Sequence, residues 1–512
     1  MANTTLNDIY LYAGSENTQF SRNRERWQFL LESFEGGEVY RKGQHLTRYA
    51  LETAAEYAQR CRSTPLDNHC RSVINVYVSF LFRVPPYRDF ASWAGMTAIE
   101  DFLTDADLDG RSLDAVMKEV STWASVFGHA WLLLAKPPVE SAVSAADQQN
   151  AGARSYVTML TPLVVTDWRW ERTPQGRYEL SYFKYVEDVN DSVITVREWT
   201  LDTITTYILD DHKKTAQVDT VETNQLGVIP AVLVYNQRSQ VRGIGISDIT
   251  DIADQQRAIY NELSEVEQSI RLEGHPSLVL TPDCQMGSGA GAIIQMPENL
   301  DPGLKPYVLN IDSAPVGTIY DSIQNRVQSI DRMANTGTVR ATETRNISGV
   351  AMKTEFQLLN ARLSEKGDNL ELAEEQLWRL WGLYERMEWT GQVIYPESYD
   401  IRDSMSEYQA LAQARAATAN PQVQAVIDYK LMEVLDEEPE EVQSAMAAYT
   451  MTDPAVEAQV VDSVVSSLLP DYPEHWMVAP DGHERMRVSS EMVHQALVDL
   501  GWTHDTEMRI TD

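Results

Sequence analysis

The sequence predicts an α+β protein that is predominantly helical. Three observations carry that expectation. Apolar residues recur at helical spacing through the first third of the chain and again from about residue 247 onward. Between them lies one stretch, roughly residues 156–235, of period-two alternation rich in β-branched side chains. Hydrophobic residues make up 43% of the chain and charged residues 23%, which is the balance of a folded protein with a core. At 512 residues the chain is longer than one core usually organises, so two to four structural regions are expected.

In chain order, helices are expected at 46–61, 64–82 and 112–127. The second opens at Thr64-Pro65, carries the stripe Leu66, Cys70, Val73, Tyr77, Phe80 and Leu81, and stops at Pro85-Pro86. Strands follow at 156–165, 179–186, 193–200 and 204–209, and the short breaks between them make an antiparallel meander the simplest arrangement. A further strand is expected at 231–235. Residues 247–272 read as a strong helix, with Ser247 as N-cap and Asp248 and Asp251 at the positive end of the dipole. Its stripe is Ile249, Ile252, Ile259, Leu263, Val266 and Ile270. At 1.5 Å per residue its length is on the order of 35–40 Å.

A compact insert comes next, with strand-like pieces at 277–280 and 292–295 around the flexible turn Met286, Gly287, Ser288, Gly289. A second helix spans 316–335, its apolar side marked by Ile319, Ile323, Val327 and Ile330. The insert therefore sits between two helices of comparable length that are free to lie antiparallel. Residues 337–349, with Arg340, Glu343, Arg345 and Asn346, read as a polar loop. A very long helical pattern then runs over 350–389, and Gly367 marks an expected bend. The remainder from about 404 reads as further helices, with an irregular stretch at 470–480 and a terminal helix at 489–500.

Composition narrows function. With 42 Lys+Arg against 76 Asp+Glu the formal net charge is −34, which disfavours DNA binding by wholesale phosphate neutralisation. An acidic wall would instead keep a moving duplex from adhering, although the same acidity also serves solubility. No run of about 18 apolar residues occurs, and the start MANTTLNDIY lacks a secretory pattern, so no membrane association is expected and the chain is expected to be cytosolic when made. Cys61, Cys70 and Cys284 match neither a disulfide framework nor a zinc pattern and read as structural thiols.

Motifs for chemistry are missing. Asp105-Ala106-Asp107-Leu108-Asp109-Gly110 begins like a calcium loop, but its twelfth position is Val116 where a bidentate Glu should close the cage. The nine histidines form no HExxH, no GxxxxGK[ST] phosphate loop is present, and Gly243-Ile244-Gly245 lacks the last glycine of a dinucleotide fingerprint. Trp168-Arg169-Trp170 has the residue types of a base-stacking surface, yet Asp167 and Glu171 beside it favour packing. The expectation is a protein that is not an enzyme and uses no cofactor and no metal.

The order of these parts, together with several phrases, resembles the portal proteins of tailed bacteriophages. The phrases are Gly36-Gly37 with Tyr40-Arg41, Phe82-Arg83-Val84-Pro85, Phe127-Gly128-His129-Ala130, Gly245-Ile246-Ser247-Asp248 and Ser348-Gly349-Val350-Ala351. The resemblance covers about residues 22–389. It implies a portal-type subunit of a closed ring, a dodecamer, at one capsid vertex of the virion, assembled in the host cytoplasm. In it, 1–246 would form the wing, 247–272 and 316–336 the stem, 273–315 the clip, 337–349 the tunnel loop, 350–400 a long bent helix joining wing to crown, and 401–512 the crown.

Implied roles follow from the same resemblance. The stripe residues Ile252, Ile259, Leu263, Val266, Ile319, Ile323 and Val327 would pack the stem. Met286, Gly287, Ser288 and Gly289 would dock partners through the clip. Arg340, Glu343, Arg345 and Asn346 would face double-stranded DNA, with ordinary ion pairing as the alternative for the arginines. Implied partners are further copies of the chain, the major capsid protein, the terminase large subunit, a head–tail adaptor, a scaffolding protein and DNA passing without sequence specificity. A non-channel scaffold or adaptor assembling through the long helices is the competing expectation.

Overall fold

The computed structural model describes residues 6–137, 153–274, 277–279, 285–286, 294–295, 301, 307–309, 314–340, 349–396, 398–399, 411, 413–415, 417, 423–424, 427, 475–478, 485–488 and 503–504. The chain divides into two compact units, Met1–Asp400 and Ile401–Asp512.

The first unit begins with helices Leu6–Ala13 (α1), Thr18–Glu35 (α2), Gly37–Lys42 (α3), Ala54–Ser63 (α4) and His69–Leu81 (α5). After the short strand Tyr87–Asp89 (β1) come Thr97–Thr104 (α6) and Leu113–Phe127 (α7). Start signals here are local. The Asn68 side chain caps α5 by accepting from the Arg71 amide at 2.8 Å, so the expected opening at Thr64-Pro65 is displaced, and Thr64 instead closes α4. Helix α4 starts at residue 54 and not 46, because Thr53 and Glu56 form a reciprocal capping box. Ser112 caps α7, close to the expected helix start at 112.

Helix α7 leads directly into His129–Ala135 (β2), the middle strand of a three-stranded antiparallel sheet with Tyr156–Leu160 (β3) and Ala231–Tyr235 (β9). The run His129 to Leu134 is buried throughout, which explains why it shows no alternation. The expected single strand over 156–165 is two strands. The turn at Thr161 hands the chain from β3 to Val165–Arg172 (β4), the start of a second sheet. That sheet is a five-stranded antiparallel meander in the order β4, Tyr178–Asn190 (β5), Val193–Thr200 (β6), Thr203–Asp210 (β7), Thr215–Thr223 (β8). Trp131, Trp168 and Phe183 are buried between the two sheets, and Arg169 lies over the Tyr182 ring, 2.9 Å from Asp167. The Trp-Arg-Trp cluster is thus packing.

Beyond β9 run the helix Thr250–Gly274 (α8), two small antiparallel ladders, and the helix Ala314–Ala334 (α9). The ladders pair Ser277–Val279 (β10) with Tyr307–Leu309 (β13), and Gln285–Met286 (β11) with Ile294–Gln295 (β12). A helical turn Gly337–Arg340 (α10) and the 37-residue helix Gly349–Glu385 (α11) follow, and Gln392–Ile394 (β14) returns to pair with β1.

Helix α11 runs unbroken through Gly367. A Cβ at 367 would lie 2.6 Å from the Tyr399 hydroxyl and 3.7 Å from the Pro396 carbonyl, so the glycine serves close packing of the returning chain. Asp105 and Asp107 accept backbone amides of their own loop and pair with Arg154 and Arg111, and among the described residues no group of three ligands fit for a metal exists. Cys61 and Cys70 are buried free thiols. No helix among the described residues is long and apolar enough to cross a membrane.

The second unit contains, among its described residues, the antiparallel strands His475–Val478 (β15), Arg485–Val488 (β16) and Thr503–His504 (β17), with β15 in the middle. Strand β15 corrects the expectation that 470–480 is irregular. The expected helix 489–500 and most of the expected helices after 404 lie outside the described residues.

Candidate functional site

Helices α8 and α9 lie side by side and antiparallel: Glu262 meets Ser322 and Arg326, each at 2.9 Å, while Gln255 meets Arg326 at 3.1 Å. Their apolar residues divide unequally. On α8, Ile252, Ile259 and Val266 are buried and Leu263 is half-buried, whereas on α9 Ile319, Ile323 and Val327 are all only half-buried. Ile323 and Val327 pack against the core while only half-buried, and α9 is fully buried only near its end, at Ile330 and Ala334, where the Tyr77 hydroxyl donates to the Ala334 carbonyl at 2.6 Å.

A second buried face of α8 escaped the sequence reading because its residues are polar. Gln256, Tyr260 and Ser264 recur every fourth residue and all face the chain's own helices. Gln256 accepts from the Cys70 amide and donates to the Ser33 carbonyl, both at 2.9 Å. The Tyr260 hydroxyl donates to the Cys61 carbonyl at 3.2 Å, and Ser264 accepts from Arg60 at 2.9 Å. Such spacing in sequence looks like a solvated face.

The root of α8 is a buried charged cluster. Asp248 accepts from Lys366 at 2.5 Å, from Arg362 at 2.9 Å and from the Asn236 amide at 3.0 Å. Lys366 also donates to Ser125 at 2.9 Å and to Asn236. Burial alone would raise the Asp248 carboxyl, but Lys366 and Arg362 outweigh it and hold the pKa below the usual carboxylate range. The Asp248–Lys366 pair therefore ties α7, the end of β9, the start of α8 and the middle of α11 together. Asp248 was expected to act on the helix dipole, and this ion cluster is its larger role. Ser247 still turns the chain into α8, accepting from the Ile249 amide at 3.1 Å, although regular helix starts at residue 250.

Two of the phrases quoted above meet here. Gly128, at φ +93°, touches Gly245 backbone to backbone: a Cβ on Gly128 would stand 2.4 Å from the Gly245 carbonyl oxygen, and one on Gly245 would stand 1.8 Å from the Gly128 oxygen. Neither position has room for a side chain. Between them His129 is fully buried and its Nδ1 accepts from the Gly245 amide at 3.3 Å; burial lowers its pKa to about 3.

Arg340 departs from expectation. It ends the turn α10 instead of riding a loop, and its guanidinium donates to Asp331 at 2.7 Å, to His69 at 2.8 Å and to Ser72 at 3.1 Å. Within one chain Arg340 is thus ion-paired with Asp331. Glu343, Arg345 and Asn346 lie outside the described residues, as do Gly287, Ser288 and Gly289, while Met286 sits on β11 at the start of its ladder.

The whole stretch from α5 through α11 corresponds to one family. Residues 68–406 match the family described as "Phage portal protein, SPP1 Gp6-like". The chain belongs to this family. It is thereby a portal protein by descent, in a family of structural proteins, and the paired helices, their buried root and the intervening ladders all fall inside the matched span. No curated protein matches this portal-family chain at a significant level. Among solved structures it is similar to a chain of "Neck of empty GTA particle computed with C6 symmetry", at 10% identity and a TM-score of 0.43, covering 77% of this chain and 99% of that one. Another is a chain of "Virion of native gene transfer agent (GTA) particle", at 9% identity and a TM-score of 0.40, covering 76% and 98%.

Proposed function

We propose that the chain forms a closed ring at one capsid vertex and that double-stranded DNA enters and leaves the particle through its opening. The observation that carries this reading is the family match over 68–406, which spans the α8–α9 pair and its charged root. The half-buried stripe of α9 supports it physically, since an apolar face left incomplete within one chain is completed when copies stand side by side around an axis.

In this reading residues 1–246 form the wing, α8 and α9 the stem, 273–315 the clip, 337–349 the tunnel loop, 350–400 the connection to the crown, and 401–512 the crown. The mechanism is physical and needs no covalent step. The charged root holds the stem at a fixed angle to the wing, and the net acidity keeps the duplex from adhering during passage. Arg340 anchors the base of the tunnel loop through Asp331, which leaves Arg345 as the loop's cationic contact with passing phosphates, with Asn346 beside it and Glu343 repelling the duplex. The clip, around Met286 to Gly289, docks the terminase large subunit during filling and the head–tail adaptor afterwards. The major capsid protein and a scaffolding protein surround the ring during assembly.

The test is packaging in a reconstituted system. Capsids assembled with the full chain should protect DNA from nuclease when terminase and ATP are added, and capsids assembled without it should protect none. Equal protection in both would reject the channel role.

A further inference from the structure

Among the described residues, two of the open strand edges have complementary chemistry. The first belongs to β9. The bonds Leu134 N–H to Pro230 C=O and Asn236 N–H to Gly128 C=O fix the pairing phase with β2, so Val232 and Val234 bond to β2 while the backbones of Ala231, Leu233 and Tyr235 face the other way. Those three have no backbone partner among the described residues, and β9 ends its sheet.

The open edge lies in a cleft of about 670 Å³ walled by Trp170, Tyr178 and Leu180 of the meander, Leu201, and Leu380 and Leu383 of α11. At its rim stand the exposed Arg238 and Arg242. Arg242 lies over the Tyr178 ring at 4.0 Å and Arg238 over the Tyr235 ring at 5.4 Å. Neither has an acidic partner among the described residues, although the chain carries 76 acidic side chains; Glu179 also lines the cleft, and Arg379 there is paired with Glu375.

The second open edge is β8, the last strand of the meander. Helix α1 covers its beginning at Ala216, but residues 217–223 are exposed throughout. They present two aliphatic side chains, Val218 (44% exposed) and Val221 (63%), interleaved with Asp219 and Glu222, which have no basic partner among the described residues.

We propose that β8 of one copy adds as a strand to the β9 edge of the next, with Val218 and Val221 against the apolar cleft and Asp219 and Glu222 facing Arg238 and Arg242. Strand addition supplies the missing backbone bonds, and the side chains set the partner. Because donor and acceptor edges are different surfaces of one chain, the contact is head-to-tail, the kind that closes into a ring. This rests on the ring reading above and specifies which surfaces join the wings.

A charge exchange tests it, read by negative-stain microscopy and sedimentation of the full chain. Wild type should give rings. Arg238→Glu with Arg242→Glu, and separately Asp219→Arg with Glu222→Arg, should each cut the ring fraction at least tenfold while circular dichroism stays unchanged. An equal mixture of the two variants should restore rings, because each repelling edge then meets its complement. If wild type forms rings and both variants do so equally well, or the mixture fails to rescue them, the β8–β9 contact is wrong although the ring reading stands. If wild type forms no ring, both fall.

Discussion

Helices α8 and α9 are similar in length, 25 and 21 residues, and pack against each other, yet one chain buries far more of the first, leaving exposed only the end of its stripe at Ile270. On α8 the apolar residues Ile252, Ile259 and Val266 and the polar residues Gln256, Tyr260 and Ser264 are all buried, so both kinds of face are used by the chain's own α2, α4 and α5. On α9 Tyr320 is 46% exposed and the stripe Ile319, Ile323 and Val327 stays half-buried, with Ile323 and Val327 touching the core on one side and full burial reached only at Ile330. The difference separates two tasks. Helix α8 fixes the pair to the body of the molecule, and α9 carries surface whose burial requires something outside a single copy.

Damage to the anchor should therefore cost far more in a single chain than damage to α9. The largest effect is expected at the root. Lys366→Ala leaves the buried Asp248 carboxylate with Arg362 as its one cationic partner, and breaking such a pair costs about 3–5 kcal/mol, read as a lowered urea midpoint. Next comes Gly245→Ala, where the new methyl meets the Gly128 carbonyl with no flexible side chain to yield; a loss of about 2–3 kcal/mol is expected by the same measurement.

Acid should weaken the same root. His129 has its pKa lowered to about 3 by burial, against about 6.5 when unfolded. Between those values the unfolded chain binds one more proton than the folded one, so stability rises with pH at about 1.4 kcal/mol per unit and levels off above about pH 7. Urea midpoints of His129→Asn should show a shallower slope below pH 6.5 than wild type. The smallest effect is Ile323→Ala, about 1 kcal/mol in dissociated chain because the side chain is only half-buried there, with a larger thermal shift in assembled material. An equal shift in both states would erase the distinction between the helices.

Much of this architecture was legible because long amphipathic helices announce themselves. The periodicity of 66–81 and 247–272 and the cap at Ser112 lead to α5, α8 and α7, and the alternation over 179–209 leads to three strands of the meander. What was hidden has identifiable causes. Strand β2 is buried on both faces, so its run Ala130 to Leu134 carries no period, and β8 is exposed enough to look like loop. Gln256 and Ser264 look solvated until the tertiary structure places Cys70 and Arg60 against them. Lys366 and Asp248 are 118 positions apart and nothing local links them. Arg340 and Asp331 are only nine apart, but a reading that takes 337–349 as loop leaves that bond hidden. Yet the phrases around Gly128 and Gly245 could be singled out as strings, and the structure supplies their reason in a direct backbone contact.

Images of the purified full chain in vitreous ice test the central claim most directly. The account predicts averages with rotational symmetry and an open centre, in which α8 and α9 repeat around the axis and the stripe of α9 is covered by an adjacent copy. A population of single chains with that stripe in solvent, or an assembly with no axial opening, would contradict it.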